Sequence, residues 1–230
     1  MQDNKIVLPR TTKEGKPRVS YSQVKNFNAI KSFNLGVEGK LEYMVDYFLG
    51  YTFPDVGWGE FGQDTEDYIG ERAGADKFTD AEKSVLEKIE PLGVLSDKFS
   101  IDYGEFVLTG IIDDRSEDWS KIRDYKTASK NSSKQYYEDD YVQLDIYALA
   151  GLEITGVIPE LEVCVIERKG NAMFGAGRDA LKVGKEIWYI PRQTSEERLD
   201  AIKQNIFKTV VEISEYYKLF LKLNTVQNGK

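Results

Sequence analysis

The sequence predicts an α/β or α+β protein: a strand-rich core behind an N-terminal helical region. Three observations carry this expectation. Apolar residues recur at helical spacing through the first third of the chain. The texture turns β-like between residues 98 and 128. Helix-like and strand-like segments then alternate up to a long amphipathic C-terminal stretch. The 230 residues, 41% of them hydrophobic, suffice for one sizeable domain. The expected layout is a flexible arm over 1–18, a single domain over 19–225, and a tail over 226–230. Within the domain, 19–95 is the helical part and 96–225 the core.

The elements follow in order. SYSQVKNFNAIKSF has Ser20 or Ser22 as N-cap, with Val24, Phe27, Ile30 and Phe33 on one helical face. VEGKLEYMVDYFLG predicts a second helix with Leu41, Met44, Val45 and Phe48 inward, and PDVGWG a turn. GEFGQDTEDYIGERAG reads as a third helix and TDAEKSVLEKIEPLG as a fourth. In the fourth, Thr79 and Glu82 have capping-box spacing, and Pro91 and Gly93 end it. SIDY, a Gly-Glu turn and FVLTGIID predict a hairpin, and KIRDYKTAS a third strand. YYEDDYVQLDIYALAGLEITG places Tyr141, Leu144, Tyr147, Ala148 and Gly151 at helical spacing. LEVCVIERKG carries a continuous apolar run, the mark of a buried central strand. EIWYIPR is a further strand, and TSEERLDAIKQNIFKTVVEISEYYKLFLK a long helix whose cap is Ser195.

Two absences narrow the chemistry. There is no histidine, which excludes Ser-His-Asp and Cys-His catalysis and histidine-ligated zinc. Cys164 is the single cysteine, so neither an intramolecular disulfide nor an iron–sulfur cluster is expected. A reducing cytosol fits that usage. No run approaches the ~18 apolar residues of a membrane span, and MQDNKIVLPRTTKEGKPR does not look like a secretory signal. The net charge of −8 opposes long-range attraction to nucleic acid, although a groove can be locally basic.

The best chemical candidate is LTGIIDDRSEDWSKIRDYKT. Asp124 and Lys126 are two apart on a strand and share a face. A turn lets Asp113 or Asp114 approach Asp124, and two carboxylates can share a hard ion such as Mg²⁺. A lysine beside it can orient water and stabilise charge on a phosphate. KIRDYKTASKNSSK sets Lys121, Arg123, Lys126, Lys130 and Lys134 against Asp124 alone, a local phosphate-attracting patch. ERKGNAMFGAGRDALKVGK is a second basic, glycine-rich stretch, with Arg168, Lys169, Arg178, Lys182 and Lys185 on an expected mobile loop. Its glycines match no Walker loop or dinucleotide fingerprint.

Gly110-Ile111-Ile112-Asp113, Asp124-Tyr125-Lys126-Thr127 and Gln143-Leu144-Asp145-Ile146-Tyr147, in this order, resemble the PD-(D/E)xK nuclease superfamily in its RecB-like branch. SYSQVKNF is similar to that branch's opening helix. Gly62-Gln63-Asp64-Thr65-Glu66 has glutamate where the branch usually has histidine, as lambda-type phage exonucleases do. The resemblance spans roughly residues 19–190. It implies a restriction-endonuclease-like core, a mixed central β-sheet flanked by helices, and DNA hydrolysis with Mg²⁺ or Mn²⁺, with exonuclease action favoured. Its Gly-x-x-Asp spacing selects Asp113 over Asp114. Carried over, Asp113, Asp124, the Tyr125 carbonyl and Glu66 would hold the metal, and Lys126 would be the catalytic lysine. Gln143 and Tyr147 would touch DNA or brace the site. Lys130, Lys134, Arg168, Lys169 and Arg178 are the expected DNA contacts. The branch's Cys-Pro and four-cysteine features are missing here. No helicase motif is present, so a stand-alone nuclease or a subunit of a recombination or DNA-processing complex is implied. The alternative from another class is a non-catalytic accessory subunit on the same scaffold.

Overall fold

A computed structural model describes residues 5–32, 44, 47, 48, 57–129, 134–173 and 176–227. It contains a six-stranded mixed sheet flanked by helices. The strands are β1 (Arg18–Ser20), β2 (Gly93–Asp102), β3 (Val107–Ser116), β4 (Lys121–Ala128), β5 (Glu160–Gly170) and β6 (Leu181–Arg192). The helices are α1 (Tyr21–Ser32), α2 (Trp58–Glu71), α3 (Asp80–Leu86), α4 (Val142–Thr155) and α5 (Glu196–Gln227). The sheet order is β1-β3-β4-β5-β6, with β2 paired to β3. The β1–β3 and β4–β5 pairs are parallel, and the β3–β4 and β5–β6 pairs antiparallel. β5 lies between two partners, and Val163 to Ile166 are buried, as the apolar run VCVI requires.

Contacts divide the chain into two compact units. One comprises residues 1–53, 99–110 and 197–230. In it, the Ser20 hydroxyl accepts from the Gln23 N–H (3.3 Å) while the Gln23 side chain accepts from the Ser20 N–H (2.8 Å), which starts α1. Val24, Phe27 and Ile30 are buried on one face, and Phe27 packs edge-on against Tyr216 of α5 at 5.7 Å. The arm differs from expectation. Ile6 and Leu8 are buried, the Val7 N–H donates to the Ser214 hydroxyl (2.8 Å), and Thr11 bridges Pro17 before β1 begins. Two apolar side chains among many charges are enough to seat it. Most of the predicted helix over 37–50 and the first half of the PDVGWG turn lie outside the described residues.

The other unit comprises residues 54–98 and 111–196. Its apolar cluster includes Phe61, Ile69, Leu86, Ile89, Tyr125, Cys164 and Ile166. The Thr79–Glu82 capping box starts α3, which ends at Leu86 rather than at Pro91. α2 begins from Gly57 at φ 101°, where an added Cβ would lie 2.4 Å from the backbone nitrogen of Arg178. The segment before α4 is not a continuous helix: Tyr136–Asp140 forms a wide π turn, and Tyr141 breaks from it into α4. The β5–β6 connection is shorter than the sequence suggests, because β6 begins at Leu181 and takes in Lys182 and Lys185. Among the described residues no helix is long and apolar enough to cross a membrane.

The expected hairpin is β2–β3, turning through Gly104 at φ 82°. β3 continues to Ser116, so Asp113 lies within the strand rather than at its end. Gly110 has a packing reason. A Cβ there would lie 2.4 Å from the ring of Phe99. Gly110→Ala should therefore destabilise the fold by ~1–3 kcal/mol through overpacking, read as a lower urea midpoint at unchanged slope. An unchanged midpoint would show that the Phe99 ring moves aside at no cost.

Candidate active site

The β3–β4 register pairs Asp114 with Arg123 and Arg115 with Ile122. Alternation along both strands puts Asp113, Asp124 and Lys126 on one face and Asp114, Arg123 and the Tyr125 ring on the other. On that second face the acids and bases satisfy one another. Asp114 is fully buried and accepts from the Leu92 N–H (3.0 Å) and the Tyr125 hydroxyl (2.7 Å). Arg123 donates to Glu162 (2.8 Å) and to the Glu90 carbonyl (2.8 Å). The face of the strand thus decides between the two adjacent aspartates: Asp114 is a structural acid and Asp113 faces the site.

Asp124 has 0% exposure. A charge so placed needs donors, and it has three. The Lys126 ammonium (2.7 Å) and the Tyr141 hydroxyl (3.0 Å) reach Oδ2, and the Gln143 amide (3.1 Å) reaches Oδ1. The Gln143 amide also donates to the Tyr147 hydroxyl (2.6 Å), one helical turn away on α4. Gln143 and Tyr147 therefore brace Asp124. Tyr141 is the partner that sequence reasoning missed, having placed it only on an apolar helix face. Its role depends on the break in the chain before α4, and no local motif announces that.

Lys126 lies among three oxygens. Its ammonium is 2.7 Å from Asp124 and 3.8 Å from Asp113, and it donates to the Tyr125 carbonyl at 2.8 Å. Asp113 also accepts from the Tyr125 N–H at 3.0 Å. Burial alone would lower the lysine's pKa, but Asp124 and Asp113 raise it above the ordinary value. Asp113 is held well above the usual carboxylate range, first by burial and then by Asp124. Glu66, on α2, shares with Asp113, Tyr125, Leu95 and Ser96 the wall of a cleft of about 210 Å³. Burial is the main influence on Glu66; Lys126 opposes it and Asp124 adds to it, and the pKa is pushed up to about 7. Of the other acids on this helix, Asp67 is exposed and Asp64 is turned inward.

The basic residues are placed less uniformly than their sequence clusters suggest. Arg178, expected on a mobile DNA-contacting loop, is buried, and its guanidinium donates to Asp64 (2.6 Å) and the Lys77 carbonyl (3.3 Å). Arg123 and Lys121 both pair with Glu162, so the first cluster is not a free phosphate-attracting patch. Lys134 is exposed and pairs with Glu138 at 3.2 Å. Arg168 lies over the Trp58 ring at 5.5 Å, Lys169 is exposed near Glu167, and Lys130 is outside the described residues.

Among the described residues no three carboxylate or thiol side chains are gathered closely enough to hold a metal on their own. What the site does offer is a hard-oxygen set of two carboxylates and a backbone carbonyl, already closed around the Lys126 ammonium. That set fits a divalent ion of the Mg²⁺ kind in donor chemistry.

The structure is thus a mixed α/β core with Asp113, Asp124 and Lys126 on one face of adjacent strands, braced by a Gln-x-x-x-Tyr helix. The family model of the PD-(D/E)XK nuclease superfamily matches residues 52–219. The chain belongs to that superfamily, whose members generally use divalent metals. None of the curated proteins matches the sequence. Among solved structures, the chain is similar in fold to a protein from Eubacterium rectale named as a putative exonuclease. The TM-score is 0.53 at 11% identity, over 90% of this chain and 87% of that one.

The raised Glu66 pKa has a sign that can be tested. An acid whose folded pKa exceeds its unfolded value costs stability once ionised. The cost is absent below the ordinary carboxylate value, grows as pH rises through the window up to about 7, and is constant above it. In chelator, Glu66→Gln should therefore melt at a higher temperature than the wild type at pH 8, and the two should converge at pH 4. Equal melting temperatures at both pH values would show that Glu66 is not burdened by burial.

Proposed function

We propose that this protein is a divalent-metal-dependent deoxyribonuclease, acting as an exonuclease with Mg²⁺ or Mn²⁺ in DNA processing, recombination or repair. The observation that carries the reading is the seat of Lys126, a cation among the oxygens of Asp113, Asp124 and Tyr125. Those three residues would hold the ion, with Glu66 bearing on it from the cleft wall. A bound Mg²⁺ supplies polarisation of the phosphodiester and a more acidic water. Lys126 sets a positive charge beside the phosphate and orients the attacking water. Gln143 and Tyr141 keep the Asp124 carboxylate from turning. The motif resemblance to the RecB-like and lambda-type branch supports exonuclease action, and Glu66 in the helix position usually held by histidine supports the lambda-type side. The absence of histidine suits a mechanism in which metal, carboxylate and lysine share the proton chemistry. The single cysteine, reduced and buried, suits a cytosolic setting in a bacterium or an infected host.

A second reading is favoured by one observation. Lys121, Arg123 and Arg178 are occupied by internal acids, which withdraws three of the expected basic residues from contact with DNA. On that reading the chain is an accessory subunit that binds a partner protein or DNA without cutting. Incubation of the pure protein with linear duplex and single-stranded DNA separates the two. Metal-dependent, chelator-sensitive degradation is the expected result, and end-labelled substrates would then give the polarity.

Asp124→Asn and Lys126→Ala should each lower cleavage by orders of magnitude with far-ultraviolet circular dichroism unchanged. Cleavage at wild-type rates in both would remove the site. Mg²⁺ at a hundredfold excess over Kd should stabilise the wild type by about 2.7 kcal/mol. The corresponding rise in melting temperature should largely vanish in Asp124→Asn. The same rise in both proteins would show that the ion binds elsewhere.

A further inference from the structure

The β4–β5–β6 register extends the catalytic face sideways. Lys126 is paired with Val165, and Val165 with Trp188, so the three share a row on one side of the sheet. At the usual strand spacing Trp188 is about 10 Å across from Lys126. A groove of about 580 Å³ opens over this row, lined by Ser129, Lys134, Tyr137, Val165, Trp188 and Ile190. Among the described residues β6 has no further strand on its outer side.

One ring contact links the wall of the groove to the site. The Tyr137 ring packs edge-on against Tyr141 at 5.5 Å, and the Tyr141 hydroxyl donates to Asp124. Tyr136 joins the same cluster, edge-on to Tyr137 at 5.3 Å and tilted against Tyr141 at 5.8 Å, while remaining 44% exposed. Such a surface is suited to flat π faces. Phosphate is not its natural ligand, because Glu186 also lines it and Lys134 is shared with Glu138. In a chain of net charge −8, with Arg123 and Arg178 held by internal acids, stacking as well as charge would contribute to any hold on a polynucleotide. Bases inside a duplex cannot offer their faces; unpaired bases can.

We propose that this groove seats unpaired bases of the DNA strand whose phosphate lies at Lys126, with Trp188 and Tyr137 as stacking residues. The inference rests on the nuclease reading and names the substrate class: single-stranded DNA.

The test is binding of a fluorescein-labelled 12-nucleotide single strand to the full chain in chelator, which prevents cleavage. A blunt duplex of the same length and a single strand of abasic sites are the comparison probes. The wild type should bind the base-bearing strand roughly tenfold more tightly than the abasic one. Trp188→Ala should lose most of that difference, Trp188→Phe should retain it, and the duplex affinity should not move. Because the abasic comparison uses the wild type, it holds even if Trp188→Ala folds poorly. Equal affinity for the base-bearing and abasic strands, no binding of either, or an equal loss for the duplex in Trp188→Ala would each overturn the groove assignment. The outcomes separate from those of the catalytic reading. Base-dependent binding without any cleavage in Mg²⁺ would leave the groove and remove the nuclease. Cleavage abolished by Asp124→Asn with no base dependence would do the reverse.

Discussion

A carboxylate without access to water governs the centre of this protein. Asp124 sits at 0% exposure on an interior strand, and an ionised group there is tolerable only with close donors around it. The surrounding structure meets that demand. Lys126 approaches from the same strand, Gln143 from α4, and Tyr141 from the break that precedes it. Tyr147 in turn fixes the Gln143 amide. The central strand, the following helix and the wide π turn are thereby tied to one pair of oxygens. Asp113 adds a second carboxyl group to the same face, its pKa raised by burial and by Asp124, and the Lys126 ammonium lies within 4 Å of both.

The same logic explains where the other charges go. The chain carries 31 basic residues against 39 acidic ones, yet several arginines are spent inside. Arg123 serves Glu162 and the Glu90 carbonyl, Arg178 serves Asp64, and Arg192 serves Asp145 at 2.8 Å. Each pair joins elements distant in sequence, and removing one partner would leave a buried charge uncompensated. These arginines fix the frame that holds the face carrying Asp113, Asp124 and Lys126.

Much of this was legible in the sequence, for physical reasons. The strand period of two puts Asp124 and Lys126 on one face, and the helical period puts Gln143 beside Tyr147; both are local and survive folding unchanged. The run VCVI announces a strand covered on both sides, and the Thr79–Glu82 spacing announces a helix start. What was not legible depends on partners far along the chain. Arg178 reads as a loop cation until Asp64, 114 residues away, comes to meet it. Lys121 and Arg123 read as a basic patch until β5 brings Glu162 alongside. The three-residue β1 exists only because β3 offers it a parallel edge, and Ile6 and Leu8 are hidden in a stretch that composition marks as polar. Counting charges finds neither their partners nor the two apolar residues that seat an arm.

The close approach of Gly57 to the backbone of Arg178 limits how this protein can diversify. Hairpin tips are ordinarily the parts of a fold that evolution lengthens, shortens and exchanges most freely. Here the tip of the β5–β6 hairpin is pinned at two points to α2, by a contact that leaves no room for a side chain and by the Arg178–Asp64 pair. An insertion beside Arg178 would disturb both ties to α2, the helix that carries Glu66. The hairpin is therefore not a free appendage in which new specificity can be tried independently. Variation is cheaper where the chain leaves the sheet without such ties, and a library aimed at changing what the protein acts on should spare this loop.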